Sequence, residues 1–334
     1  MQPDKSKSDN KADPRKVALD QWVSTYLGAS VAGEPASADA SFRRYFRYQH
    51  CGRSLIAMDA PPAQEDCRPF IDVAQRLQRA GLHVPEIVHQ DLDQGFLLLT
   101  DMGNETWLTA LNENNADAWY SAAIDTLITQ QLHTDVSGLP VYDEALLQRE
   151  LELFPQWYLF RHREKVVTGE LRQRLDRVFT VLIESALAQP QVFVHRDYMP
   201  RNLMVSDPNP GVLDFQDAVA GPISYDVISL FKDAFISWPE ARVLGWLRQY
   251  FDKATVAGLP VPADFDTFLR DCDLMGAQRH LKVIGIFARI CHRDGKPKYL
   301  GDVARFFAYL RTAIARRPEL VDLEWILDQL EDNE

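Results

Sequence analysis

The stretch "VFVHRDYMPRNLMV", Val192 to Val205, follows an apolar run with His195-Arg196-Asp197 and sets Asn202 five residues beyond that Asp. The turn signal "SDPNPG" then separates "NLMV" from "GVLDF", so the two read as the strands of a hairpin, and the second ends at Asp214. Any one of these residues alone reads as a turn former or a helix cap. Asp, Asn, hairpin and second Asp in that order, at compatible lengths, point instead to one shared site.

Phosphoryl transfer needs a base to orient the attacking hydroxyl, metal ligands for the nucleotide, and positive charge on the phosphates. The first two are present. Asp197 is the candidate base, and Asn202 and Asp214 are candidate ligands for Mg²⁺, a hard cation suited to amide and carboxylate oxygens. His195 is read as a packed residue that shapes the loop, with proton carrier as the alternative. Asp226, in "GPISYDVISL", is read as bonding loop backbone from the start of a helix, with a catalytic role as the alternative.

The remainder of the chain is long enough to support such a site. At 334 residues and 46% hydrophobic it can bury a substantial core over about two lobes. A net charge of -12 argues against a dedicated nucleic-acid surface. No run approaches the ~20 apolar residues that span a bilayer. Cys51, Cys67, Cys272 and Cys291 are scattered without zinc-ligand spacing and are expected to stay reduced. The polar amino terminus lacks the apolar stretch of a secretory signal, so the expected location is cytoplasmic, with residues 1–13 as a disordered tail.

Asp13 and Pro14 predict a helix start, and Leu19, Trp22, Val23, Tyr26 and Leu27 follow helical spacing to Gly28. "SADASFRRYFRY" and "SLIAM" read as two strands turning near His50 to Arg53, followed by a helix through Phe70, Val73, Ala74 and Leu77. "VPEIV" and "GFLLLT" read as two further strands ending at Asp101-Met102-Gly103. Beyond Gly103 the pattern is mostly helical, apart from the strands around the Asp197 loop. The expected fold class is α+β: a small antiparallel sheet with one main helix over residues 14–103, and a larger helical lobe over residues 104–334.

"HRDYMPRN", followed by "LDFQD" and "YDVISL", resembles the aminoglycoside phosphotransferase and choline kinase-like branch of the bilobal protein-kinase-like fold. The resemblance covers nearly the whole chain after its first residues. It implies ATP and Mg²⁺ as cofactors, Asp197 as catalytic base, Asn202 and Asp214 as metal ligands, and an adenine-binding hinge at Thr100, Asp101, Met102 and Gly103 that works through backbone groups. Within that family, "ADASFRRYFRY", "MDAPP", "LLLTDMG", "ELELFPQWYLF" and "FARICHRDGKPKYL" are similar to the kinases that phosphorylate the C1 hydroxyl of N-acetylmuramate and N-acetylglucosamine in cell-wall recycling. The implied partners are a nucleotide and an amino sugar. Other small-acceptor kinases and a non-catalytic nucleotide-binding scaffold are the competing readings.

The third strand, "SLIAMDAPP", lacks the lysine that protein kinases place there, and neither a GxGxxG loop nor a Walker A motif is present. Arg43 and Arg44 are therefore candidates for the phosphate clamp, or a solvated strand face. Glu150, Phe154 and Trp157 share a helical face that is either a sugar platform or a core stripe. Arg289 and His292, in a cation-rich loop near the carboxy terminus, either hold a sugar carboxylate or belong to a wet loop.

Overall fold

The computed structural model describes residues 13–38 and 42–331. The expected tail falls outside the described residues as far as position 12. By their internal contacts the described residues form two compact units, one up to Gln75 together with Val84–Gly103, the other Arg76–His83 together with the chain from Asn104 onward.

In the first unit, helix α1 (Pro14–Leu27) is capped by Asp13, whose carboxylate accepts the N–H groups of Arg15 and Lys16, and it ends at Gly28 in the left-handed region. Strands β1 (Glu34–Ala38), β2 (Arg44–His50), β3 (Arg53–Asp59), β4 (Ile87–Asp91) and β5 (Phe96–Thr100) form one antiparallel sheet in the order β1-β2-β3-β5-β4, with helix α2 (Arg68–Arg79) between β3 and β4 in sequence. Cys51 and Gly52, both at positive φ, make the two-residue turn that sets β2 against β3. Leu19, Val23, Phe46, Tyr48, Ala57, Phe96 and Leu98 form the core between α1 and the sheet. The sequence treats "SADASFRRYFRY" as a single strand; the chain instead makes β1 and β2, antiparallel partners on either side of positions 39–41. "EPASA" in β1 has no apolar alternation to announce it.

An ion cluster fixes α1 to this sheet. Asp59 is fully buried; one carboxylate oxygen takes Arg15 (Nε at 2.8 Å) and the other Arg44 (Nε at 3.0 Å), while Arg44 also pairs with Asp13. A buried carboxylate is tolerated only when its charge is met this way.

In the second unit, α6 (Gly169–Ala188), α7 (Ser224–Phe231), α8 (Glu240–Ala257) and α10 (Val303–Ile314) pack on α9 (Phe265–Asp294), which is buried from Cys272 to Gly285, while α4 (Ala116–His133) packs on α8 and α11 (Val321–Glu331) on α6 and α10; α3 (Trp107–Ala110) and α5 (Glu144–Leu151) are short. After α5 the chain winds into a π-helix over Phe154–His162. This segment lies so close to α9 that a Cβ on Gly285 would meet the Leu153 carbonyl carbon at 2.4 Å. Two short pieces of sheet sit among the helices. β6 (Gln191–Val194) pairs with β9 (Val219–Pro222), which the sequence does not announce, and β7 (Leu203–Met204) pairs with β8 (Gly211–Val212) as the expected hairpin. Among the described residues no helix is long and apolar enough to cross a membrane.

Replacing Asp59 by Asn leaves Arg15 and Arg44 without their shared anion. The expected result is a loss of about 1–3 kcal/mol in denaturant unfolding of the whole chain. An unchanged midpoint would mean that the sheet, without this cluster, carries α1.

Candidate active site

β6 delivers the chain into the His195–Asn202 loop, and the first residues of α7 hold it there. Asp226, fully buried, accepts the backbone N–H of His195 at 2.7 Å and of Arg196 at 3.0 Å, together with Gln130 Nε2 of α4 at 3.1 Å. Burial pushes its carboxyl up to about 6, against the pull of His195 and of those two N–H groups. Arg196 takes a positive φ of 77°, an uncommon conformation for a residue with a side chain. The His195 ring is fully buried, accepting the Asp197 N–H at Nδ1 and donating from Nε2 to the Leu213 carbonyl, and burial lowers its basicity. That geometry makes it a loop-shaping residue.

The hairpin then returns to the same point. The Asn202 carbonyl accepts the Leu213 N–H, and the Asn202 side-chain Nδ2 donates to the Asp197 carbonyl at 2.9 Å and to Asp214 Oδ2 at 3.3 Å. Asp214 takes a φ of 65° at the strand end and accepts Gln216 Nε2 at 2.9 Å through its other oxygen. The three residues read from the sequence are thus joined through one amide. Asp197 is half-buried, and its carboxylate has no hydrogen-bond or ion-pair partner among the described residues. Asn202 Oδ1 likewise accepts no hydrogen bond among them. No three His, Cys, Asp or Glu side chains gather at one point among the described residues. The Asn202 amide nitrogen faces Asp214, and the Asn202 Oδ1 and Asp214 carboxylate are hard oxygen donors of the kind Mg²⁺ takes with most of its waters retained.

Arg196, unassigned by the sequence, points inward. Its guanidinium pairs with Glu150, which is 5% exposed and also takes Lys282 Nζ at 3.0 Å, the Tyr142 hydroxyl and Gln278 Nε2 at 3.3 Å. Burial alone would raise the Glu150 carboxyl, but Lys282 and Arg196 outweigh it and hold the group at about 2. Glu150 is therefore placed as a buried anchor for the loop, its oxygens already engaged, not on an open sugar platform. The helical face that put it beside Trp157 does not persist, because the change from α to π winding between them alters the period. Phe154 stacks on Tyr158 at 5.6 Å, and Tyr158 meets Phe307; Trp157 is half-buried.

The remaining sites are placed as follows. The Asp101 carboxylate is engaged by Arg47 (Nε at 2.6 Å), Ser54 and the Gly103 N–H, and Thr100 Oγ1 accepts the Glu86 N–H. The Gly103 backbone is engaged as well, its N–H by Asp101 and its carbonyl by Arg47 at 2.9 Å, and Met102 is buried. Arg44 is engaged by Asp59 and Asp13, and Arg43 by Glu65 at 3.1 Å. Both candidates for the phosphate clamp are thus engaged in ion pairs within their own unit. His292 is exposed and contacts His162 at 3.2 Å, while Arg289 is half-buried with its Nε unpartnered among the described residues; no contact joins either to the Asp197 loop. Lys282 and Arg279, buried on α9, were not singled out from the sequence. The signal was available in "QRHLK", two cations and a His in the middle of the apolar stretch from Leu274 to Ile284.

The family model described as the phosphotransferase enzyme family matches residues 32–263. A protein of Pseudomonas aeruginosa named N-acetylmuramate/N-acetylglucosamine kinase is 63% identical over 330 residues, covering 95% of this chain and 97% of its own length. A protein of the same name from Neisseria meningitidis serogroup B is 43% identical over 326 residues, covering 96% of this chain and 97% of its own. Among solved structures, the choline kinase LicA from Streptococcus pneumoniae superposes with a TM-score of 0.61 at 12% identity, covering 90% of this chain and 100% of that one. ADP-bound aminoglycoside phosphotransferase APH(2'')-Ib superposes at 0.58 and 13% identity, covering 89% and 98%. At such identities these two show the fold alone, an α+β kinase-like fold.

The depressed Glu150 carboxyl gives a signed pH prediction. Its stabilisation is fully present above the unfolded carboxyl value of about 4.3 and is lost as pH falls toward 2. Glu150→Gln should therefore be less stable than the parent by on the order of 2–3 kcal/mol near pH 7, with the gap closing below pH ~4 in urea titrations. A gap that stays constant down to acid pH would dissociate the stability from the Glu150 charge.

Proposed function

The chain belongs to the phosphotransferase enzyme family, a premise from which we propose that it transfers the terminal phosphoryl group of ATP to the C1 hydroxyl of N-acetylmuramate and N-acetylglucosamine, in peptidoglycan recycling. It is a kinase acting on an alcohol group. The relatives' shared name supports the acceptor, and the convergence of Asp197, Asn202 and Asp214 carries the chemistry. Residues 14–103 form the nucleotide lobe of this reading and residues 104–334 the acceptor lobe. ATP as donor puts the reaction in the cytoplasm.

Asp197 receives the proton of the sugar's C1 hydroxyl as that oxygen forms its bond to the γ-phosphorus, and the bond from that phosphorus to the β-bridging oxygen breaks. The products are the sugar 1-phosphate and ADP. Asn202 Oδ1 and the Asp214 carboxylate would hold Mg²⁺, which would supply positive charge at the phosphates. Asp226 and His195 fix the direction of Asp197 without exchanging protons, and Glu150 keeps Arg196 turned away from it. An unpartnered carboxylate in a rigid loop is what a base needs: positioned before the substrate arrives and not spent on a protein donor.

With Mg-ATP and a panel of N-acetylmuramate, N-acetylglucosamine, an aminoglycoside and choline, ³¹P NMR should show a glycosyl phosphate signal on the two amino sugars. Asp197→Asn should lower kcat by about 10²–10⁴ with little change in melting temperature. Asp214→Asn should raise the Mg²⁺ concentration needed for half-maximal rate. Phosphate appearing on choline or the aminoglycoside alone would replace the acceptor, and full activity of Asp197→Asn would remove the base.

A further inference from the structure

The two proposed acceptors share an acetamido group at C2, one carbon from the hydroxyl that Asp197 is to deprotonate. None of the groups assigned so far recognises it. Arg279, on α9, is 2% exposed, and its single hydrogen bond among the described residues runs from Nη2 to the Met199 thioether at 3.9 Å; Nε and Nη1 have no partner there. Met199 lies two residues past Asp197, so this cation borders the reacting loop.

Asp233, fully buried just after α7, shows the complementary deficit. Oδ1 accepts the N–H groups of Phe235 and Ile236, closing a tight turn, while Oδ2 has no partner among the described residues. The Arg279 charge reaches Asp233 and pulls against the burial that raises its carboxyl, yet no ion pair joins the two. Two open donors and one open acceptor of opposite charge are thus buried in the same unit, within electrostatic reach of each other, and groups buried in that condition in a native protein call for a partner. A secondary amide has the matching pattern, a carbonyl to accept from the guanidinium and an N–H to donate to the carboxylate. Apolar surface for its methyl is close by: Phe235 is half-buried, covered by the Arg201 guanidinium at 5.4 Å and near Phe287 at 6.4 Å.

We infer that Arg279 and Asp233 recognise the 2-acetamido group of the acceptor, the guanidinium taking its carbonyl oxygen and Asp233 Oδ2 its N–H, and thereby select N-acetylated over plain hexoses. The inference rests on the amino-sugar reading above and adds a determinant to it. A carboxylate or phosphate is a poorer match, because Asp233 would oppose its charge. The pair sits in unit two with the Asp197 loop, so it acts on whichever sugar that loop addresses.

The test is steady-state phosphorylation of N-acetylglucosamine, glucosamine and glucose by the full-length protein, Arg279→Gln and Asp233→Asn, with melting temperatures alongside. Asn at 233 keeps an oxygen for the Phe235 and Ile236 N–H groups, so the turn survives. The parent should prefer N-acetylglucosamine to glucose by about 10²-fold or more in kcat/KM. Both variants should raise KM for N-acetylglucosamine about tenfold, leave kcat within about threefold, and leave the weak glucose activity unchanged, so that the preference collapses. If Arg279→Gln does not fold, Arg279→Lys, which keeps the charge but has no Nε donor, serves for the same comparison. Equal losses on both sugars, or a lowered melting temperature with the preference intact, would assign the pair to structure, bridged by water, and overturn the inference. A parent that phosphorylates glucose as well as N-acetylglucosamine overturns it too and leaves the amino-sugar kinase standing. A parent inactive on every N-acetylhexosamine overturns the acceptor reading itself.

Discussion

The active loop depends on one carboxylate accepting two consecutive backbone N–H groups. His195 and Arg196 present their amides to one carboxylate, Asp226, which meets both, while Arg196 itself is turned into the left-handed region. That conformation is unfavourable for an arginine by itself and persists only where surrounding bonds over-determine it. Asp226 lies in the first turn of α7, where the helix dipole favours negative charge, and it also ties in Gln130 of α4. The direction of Asp197 thus follows from the junction of two helices and a strand, not from bonds of its own.

A second carboxylate secures the same loop from the side. Glu150 collects Arg196 from the loop and Lys282 from α9, so that three elements distant in sequence share one buried charge cluster. Burial acts to neutralise Lys282, and Glu150 reverses the effect, leaving the ammonium charged in the interior. Arg279, three residues earlier on α9, has no such match. Within one turn of one helix, then, one buried cation is fully answered and the other is left with open donors beside Met199. Stability explains the first and does not explain the second.

How much of this could be read from the sequence depended on the distance between partners. Asp197, Asn202 and Asp214 were legible because a five-residue loop and a tight hairpin join them, and local geometry then has few solutions. The pairing of Arg44 with Asp59 is legible in the same way, since a two-residue turn at Cys51-Gly52 sets those residues opposite each other. Glu150 and Trp157 misled because a 3.6-residue period was carried across a segment that winds with a longer one. Pro155, with no N–H for the carbonyl four residues back, is the local break in "ELFPQWYLF", and Gly285 on α9 lets the adjoining Leu153 backbone approach. Asp226 was legible as a loop anchor at a helix start, the role it takes, whereas Lys282 and Arg279 owe theirs to tertiary contacts alone.

The division of labour follows from what the chemistry needs. A choline kinase and an aminoglycoside phosphotransferase share this fold at 12% and 13% identity, so most side chains are free to differ while the fold stays the same. Phosphoryl transfer makes few covalent demands, and a loop of fixed shape with a base and two metal-ligating oxygens meets them whichever hydroxyl is offered. Selection among hydroxyls must then come from groups that bond what the wrong acceptor lacks, because a site with polar groups left unpaired rejects an analogue far more strongly than a fitted apolar one does. Buried polar capacity that the protein does not satisfy for itself is a natural seat for such selection, and Arg279 brings some of it to Met199, two residues past Asp197.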